Sequence, residues 1–147
     1  MILEEWRTKD ILDGLEILDV TQNESTRTHK VVGVLLGHIA KQDRTYNFVS
    51  QNYENGLITD FEVTKKDTDD EVKLIHVVEA KASMALGQSE PQLRSYLIDR
   101  NCSLGCLTDG YMWQFYRLKS SKLEPVGEPV YTRHDLDTIV SRITAGY

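Results

Sequence analysis

The sequence predicts an α/β fold in which helices flank a mixed β-sheet. Two observations carry this prediction. Apolar residues recur at helical spacing near both ends of the chain, and short apolar or alternating runs separated by turn residues occupy the middle. The predicted order is helix, three strands, helix, two strands and helix, with one further helix in front. Such an order places helices on the faces of a sheet.

The first two predicted elements are helices over residues 4–18 and 24–40. In each of them apolar side chains recur three or four positions apart, which places them on one face. In the second helix these positions are Val31, Leu35 and Ile39.

Three strands follow. A short strand is predicted over 46–50, with a turn at 52–56. The polar, turn-rich segment 65–71 then separates two apolar runs, which predicts a hairpin. Folding this hairpin about Asp69 brings Asp60 beside Glu79 to within a residue or two of register.

The second half of the chain continues with a helix over 90–100, strands over 104–107 and 111–118, and a last helix that starts within 132–135. Trp113 and Phe115 alternate onto one face of their strand. Burial is the usual reason for such alternation, and a base-stacking platform is the alternative.

Glu79, Ala80 and Lys81 end the apolar run of the second hairpin strand. Because side chains alternate along a strand, Glu79 and Lys81 project the same way, and the hairpin adds Asp60. Two carboxylates can hold a hard divalent cation, and an amine beside them can orient or polarise a water. The alternative is that all three are ordinary surface charges.

Three further polar residues are candidate site residues, and each of them also has a purely structural explanation. Gln92 and Tyr96 are neighbours at i and i+4 of a helix, but Ser89 to Gln92 also fits a capping box, and Tyr96 is also at a core position. Glu24 opens the second helix and fits a capping box with Thr21 equally well.

In order, these motifs resemble those of the PD-(D/E)-x-K nuclease superfamily and its RecB-like branch. The three matching motifs are Gly56-x-x-x-Asp60, Glu79-x-Lys81 and Gln92-x-x-x-Tyr96. Two flanking matches resemble the N-terminal nuclease domain of type I restriction enzyme cleavage (R) subunits. They are Glu24-Ser25-Thr26-Arg27, with one residue fewer than the family spacing, and Thr108-Asp109-Gly110-x-x-Trp113-x-x-Tyr116.

The resemblance implies an αβββαβ restriction-endonuclease-like core with extra N- and C-terminal helices. It also implies hydrolysis of phosphodiester bonds in DNA with Mg²⁺ or Mn²⁺. A non-catalytic nucleic-acid- or protein-binding module, an accessory subunit of a restriction or repair complex, and RNA as substrate are the alternatives. The implied roles are metal ligation by Asp60 and Glu79, metal or outer-sphere support by Glu24, water activation by Lys81, and steadying of the site or backbone contact by Gln92 and Tyr96.

Length and composition predict one soluble domain over residues 1–147. The chain has 40% hydrophobic and 27% charged residues, and its apolar stretches are too short to span a bilayer. The N-terminus lacks the pattern of a signal peptide, so we expect a cytoplasmic protein. Cys102 and Cys106 are too few for a disulfide framework and suit buried positions in a reducing compartment.

The net charge of −6 is unfavourable for binding phosphates. A basic margin after the motif could compensate locally, and solvated surface charges are the alternative explanation. Its candidate residues are Arg94, Arg100, Arg117, Lys119 and Lys122. We therefore expect weak affinity for nucleic acid unless a homodimer, a helicase or a DNA-binding partner supplies further contacts.

Overall fold

The computed structural model describes the backbone of residues 1–21, 24–81 and 86–147, and the side chains of residues 1–16, 28–81 and 88–147. These residues form four helices and seven strands. The helices are α1 (Glu5–Thr21), α2 (Glu24–Gln42), α3 (Leu86–Arg100) and α4 (Leu136–Ala145). The strands are β1 (Tyr46–Glu54), β2 (Leu57–Lys66), β3 (Val72–Ala80), β4 (Leu104–Thr108), β5 (Met112–Lys119), β6 (Lys122–Pro125) and β7 (Val130–Tyr131).

All seven strands join one sheet in the order β1-β2-β3-β4-β5-β6, with β7 on β5. The β3–β4 pair is parallel and the other pairs are antiparallel. The parallel pair needs a crossover, which α3 provides. The predicted α/β class with a mixed sheet and flanking helices is confirmed.

The sheet buries a separate apolar core on each face. Adjacent residues of β3 show the division, because Val78 packs with apolar residues of α2 and α4 whereas Val77 packs with those of α3. Strand alternation sends neighbouring side chains to opposite faces, so a strand covered on both sides reads as a continuous apolar run. Trp113 and Phe115, both fully buried, belong to the α2 and α4 side, and the core interpretation of these two residues is confirmed.

Several boundaries differ from the predictions. The first strand continues through 52–54, and the tight turn is confined to Asn55 and Gly56, where φ is 52° and 79°. Helix α3 begins at Leu86, which places Pro91 inside the helix and leaves Ser89 in its interior. The capping box predicted at Ser89 is therefore wrong. The short β6 and β7 were not predicted, because two to four residues show no periodicity.

The pairing of β2 with β3 contains a bulge. Val63 lies opposite His76, whereas Thr64 lies opposite Leu74, so Ile75 is the extra residue on β3. Beyond the bulge the register is continuous up to Phe61 opposite Val78. This irregularity shifts the strand ends by one residue relative to the turn.

The two cysteines, Cys102 and Cys106, are buried free thiols, as predicted. None of the described helices is both long and apolar enough to cross a membrane.

A buried polar cluster fixes the end of α3 to the β1–β2 hairpin. The Arg100 side chain, 2% exposed, forms salt bridges with Glu62 at 3.4 Å and with Asp99. Its guanidinium also donates to the carbonyl oxygens of Asn52 at 3.1 Å and Leu57 at 2.9 Å. The cluster holds the helix at a fixed position relative to the strands.

We expect Arg100→Ala to lower the free energy of unfolding by about 3 kcal/mol, because it leaves Glu62 buried without its cationic partner. Urea denaturation followed by circular dichroism measures this change. Arg44→Ala, which removes an exposed arginine, is the matched control. Equal stability of the two variants would contradict a structural role for Arg100.

Candidate active site

Asp60 of β2 and Glu79 of β3 meet across the strand pair, as the hairpin predicted. The backbone N–H of Asp60 donates to Glu79 Oε1 at 3.1 Å, and the N–H of Ala80 donates to Asp60 Oδ2 at 2.8 Å. Each carboxylate thus uses one oxygen to bind the opposite strand. The second oxygens, Asp60 Oδ1 and Glu79 Oε2, take no part in these backbone bonds.

The two carboxyl groups lie in an environment that disfavours two negative charges. The side chain of Glu79 is 1% exposed and that of Asp60 is 20% exposed. Burial, and then the neighbouring Asp60 carboxylate, raises the pKa of Glu79 well above its ordinary value. A cation between the two groups would offset this cost.

Lys81 follows β3 directly, and its N–H donates to the Thr108 carbonyl of β4 at 2.8 Å. Its ammonium lies 4.0 Å from Glu79 Oε2 and donates a hydrogen bond to Gln92 Oε1. The amine is therefore held between the buried carboxylate and α3. The structure brings Lys81 to the acid pair, as predicted.

Gln92 and Tyr96 extend this contact along α3. The amide of Gln92 accepts from Lys81 through its oxygen and donates through Nε2 to the Tyr96 hydroxyl at 2.7 Å. Gln92 is therefore a partner of Lys81 and not a helix cap.

Both interpretations of Tyr96 apply, because its ring packs in the core on the α3 side while its hydroxyl reaches Gln92. Burial raises the pKa of this hydroxyl, which keeps it protonated.

His29 was not singled out from the sequence. It lies on α2, and its Nε2 is 3.4 Å from Asp60 Oδ1. The preceding Thr28 donates through its hydroxyl to the Asp109 carbonyl at 2.9 Å, which ties α2 to the strand ends. No motif or spacing in the sequence marks His29, since its contact with Asp60 depends on how α2 packs on the sheet.

Glu24 is the first residue of α2, but its side chain lies outside the described residues. Thr21, its partner in the predicted capping box, is the last residue of α1. The proposed roles of Glu24, metal support or helix cap, stay predictions.

The described side chains contain no group of three or more His, Cys, Asp or Glu residues arranged to hold a metal ion. The acid pair supplies two hard oxygen ligands. This set fits Mg²⁺, which proteins commonly bind through one or two carboxylates while water fills the other positions.

Comparisons with known proteins place the fold. No protein-family model matches the chain, and no curated protein matches it significantly in sequence. A similar solved structure is that of the type IIG restriction endonuclease BpuSI, with a TM-score of 0.58 and 16% sequence identity. The match covers 99% of this chain and 17% of that chain, so this protein spans about a sixth of the length of the enzyme it resembles. The likeness shows that the fold is restriction-endonuclease-like.

Proposed function

We propose that residues 1–147 form one nuclease domain that hydrolyses phosphodiester bonds in DNA with the help of a divalent metal ion. One observation carries the proposal. Asp60 and Glu79 hold each other's strands through reciprocal hydrogen bonds, and Lys81 lies against the buried Glu79. The likeness of the fold to a restriction endonuclease supports it. The order of the motifs favours the RecB-like branch and a relationship to type I cleavage subunits.

Asp60 and Glu79 would hold Mg²⁺ or Mn²⁺ through the oxygens that their backbone bonds leave available, with Glu24 as an additional acid. When bound, such an ion stabilises the negative charge that develops on the phosphate and lowers the pKa of a water. Asp60 and Glu79 would thus hold the cation that offsets their own charge and the charge of the phosphate.

Lys81 orients the attacking water. Its ammonium donates to Gln92 and lies at 4.0 Å from Glu79, so its remaining N–H bonds can donate to a water or to a phosphate oxygen. Gln92, fixed by Tyr96, holds the amine in place. A positioned amine of this kind acts mainly in the transition state.

A non-catalytic binding module or an accessory subunit is the second candidate function. The net charge of −6 favours it, because such a chain binds DNA weakly by itself. A homodimer, a helicase or another DNA-binding partner would then supply phosphate contacts. Incubation of the pure protein with linear, circular and single-stranded DNA and with RNA, in Mg²⁺ or Mn²⁺, separates the two candidates.

The acid pair predicts stabilisation by metal. Mn²⁺ at a hundred times its Kd should stabilise the wild type by about 2.7 kcal/mol, because it binds the folded state alone. Asp60→Asn and Glu79→Gln should lose this increment in thermal denaturation. An equal increment in the wild type and Asp60→Asn would remove Asp60 from the site.

Glu79→Gln should also raise the Tm of the metal-free protein at pH 8. The pKa of Glu79 is raised on folding, so its contribution to stability is complete below about pH 4.5 and declines as pH rises towards the folded pKa. Glutamine keeps the acceptor for Asp60 N–H and does not ionise. The difference between variant and wild type should vanish near pH 4, and a pH-independent difference would contradict this origin.

Lys81→Ala should lower the rate of cleavage at least 100-fold and leave the Tm increment with Mn²⁺ nearly intact, because the amine acts on the transition state. Single-turnover assays on labelled DNA measure the rate. Lys73→Ala, which removes an exposed lysine of β3, is the control. Wild-type cleavage by Lys81→Ala would overturn the assigned role.

Glu24→Gln separates the two roles of Glu24. A metal-supporting carboxylate predicts a loss of activity of about 10–100-fold with little change in Tm. A helix cap predicts normal activity and a loss of no more than about 1 kcal/mol in stability, since glutamine still accepts the capping bond. Paired denaturation and cleavage measurements decide between them.

A further inference from the structure

Because the chain carries a net charge of −6, a phosphate backbone near the site needs local cationic side chains to bind it. Two of the five candidate residues of the basic margin serve the fold. Arg100 is enclosed by Glu62 and Asp99, and Arg117 donates to the backbone oxygen of Tyr147. The three others are exposed. They are Arg94, Lys119 and Lys122.

Two of these exposed cations line one groove of about 550 Å³ between α3 and the turn that joins β5 to β6. The Nε of Arg94 donates to the Ser121 carbonyl at 2.6 Å and bridges the groove. In the described part of the chain Lys122 forms no salt bridge, and this bond is the one hydrogen bond of the Arg94 side chain. Glu90 also lines the groove, and its carboxylate accepts a hydrogen bond from the Tyr116 hydroxyl at 2.9 Å.

The turn beside the groove is built at a cost to stability. Lys119 and Lys122 are directly opposite cross-strand partners, and like charges in such a pair repel each other. Between them Ser120 and Ser121 have φ values of 51° and 62°, in the left-handed region that two-residue hairpins usually fill with Asn-Gly. A bound anion would offset the repulsion between the lysines.

Helix α3 lines the groove and also contacts the site. Gln92, which holds Lys81, and Arg94 belong to one helical turn of α3, on different sides of it. A helix is about 10 Å across, and each strand of a nucleic acid advances about 3.4 Å per phosphate. A backbone that crosses α3 from the site would therefore reach the groove several phosphates away.

We propose that this groove binds the phosphodiester backbone of the nucleic acid at a flank of the cleavage site, with Arg94 and Lys122 as the contacting residues. The proposal rests on the proposed nuclease function for its substrate. The groove would supply a local cationic surface on a chain whose net charge is −6.

The test compares Arg94→Gln/Lys122→Gln with Lys9→Gln/Lys73→Gln, each in the Lys81→Ala background. Both pairs remove two positive charges, and the second pair takes them from exposed positions elsewhere. Binding of a fluorescent 20-base-pair duplex is measured by anisotropy over a range of NaCl concentrations. We expect the groove variant to bind at least tenfold more weakly at 50 mM salt, with the slope of log K against log salt smaller in magnitude by about 1.8. The control should bind like its parent.

The outcomes separate the groove from the nuclease. Unchanged binding by the groove variant, an equal loss in the control, or no binding by the parent would each overturn the groove. Cleavage by wild-type protein together with unchanged binding by the groove variant would leave the nuclease function standing without the groove. Absence of cleavage by the wild-type protein, together with a loss of binding in the groove variant alone, would support the groove and contradict the nuclease function. Removal of Lys122 relieves its repulsion with Lys119, whereas Arg94→Gln loses the bond to the Ser121 carbonyl. Lys122→Gln alone keeps that bond, so it should melt no lower than its parent yet bind more weakly, and a lower Tm accompanying its binding loss would overturn the assignment.

Discussion

The register between β2 and β3 is the constraint on which the site depends. The bulge at Ile75 moves the pairing by one residue, and only the register beyond it sets Asp60 opposite Glu79. If the pairing seen between the turn and the bulge continued along the whole hairpin, Asp60 would lie opposite Val78. Because side chains alternate with a period of two, such a slip would turn one of the two carboxylates to the opposite face of the sheet, away from the other. The hairpin core and the acid pair are therefore fixed together.

Around that register, the site is assembled from four elements with different roles. The strands β2 and β3 supply the carboxylates, α3 supplies the Gln92 contact to the lysine, and α2 brings His29 to Asp60. The covering by α3 removes Glu79 from water, which makes the acid pair costly to ionise and favours a cation at this position. The packing that makes two negative charges unfavourable here would thus favour the metal ion that we propose for the pair.

The order of elements and the core of the sheet could be predicted because long apolar patterns carry them. The juxtaposition of Asp60 and Glu79 was predicted only to within a residue or two, since no sequence pattern reveals a bulge. His29 and the internal role of Arg100 were missed for a related reason. Both depend on tertiary packing between elements far apart in the chain. Proline usually occupies the first turn of a helix, so Pro91 suggested that α3 begins near Ser89. The helix begins earlier, at Leu86, and Pro91 lies inside it.

The parallel pairing of β3 with β4 has a consequence for the order of folding. The strands β1, β2 and β3 form a meander of local hairpins, whereas β4 can join only after α3 has crossed over the sheet. Because loop closure favours contacts that are near in sequence, the meander should form first and the crossover should dock in the slow step. In this order the two carboxylates would meet while still hydrated and would lose their water late. A cation captured at the hydrated stage would lower the barrier to docking, so metal would act on the rate of folding as well as on the folded state.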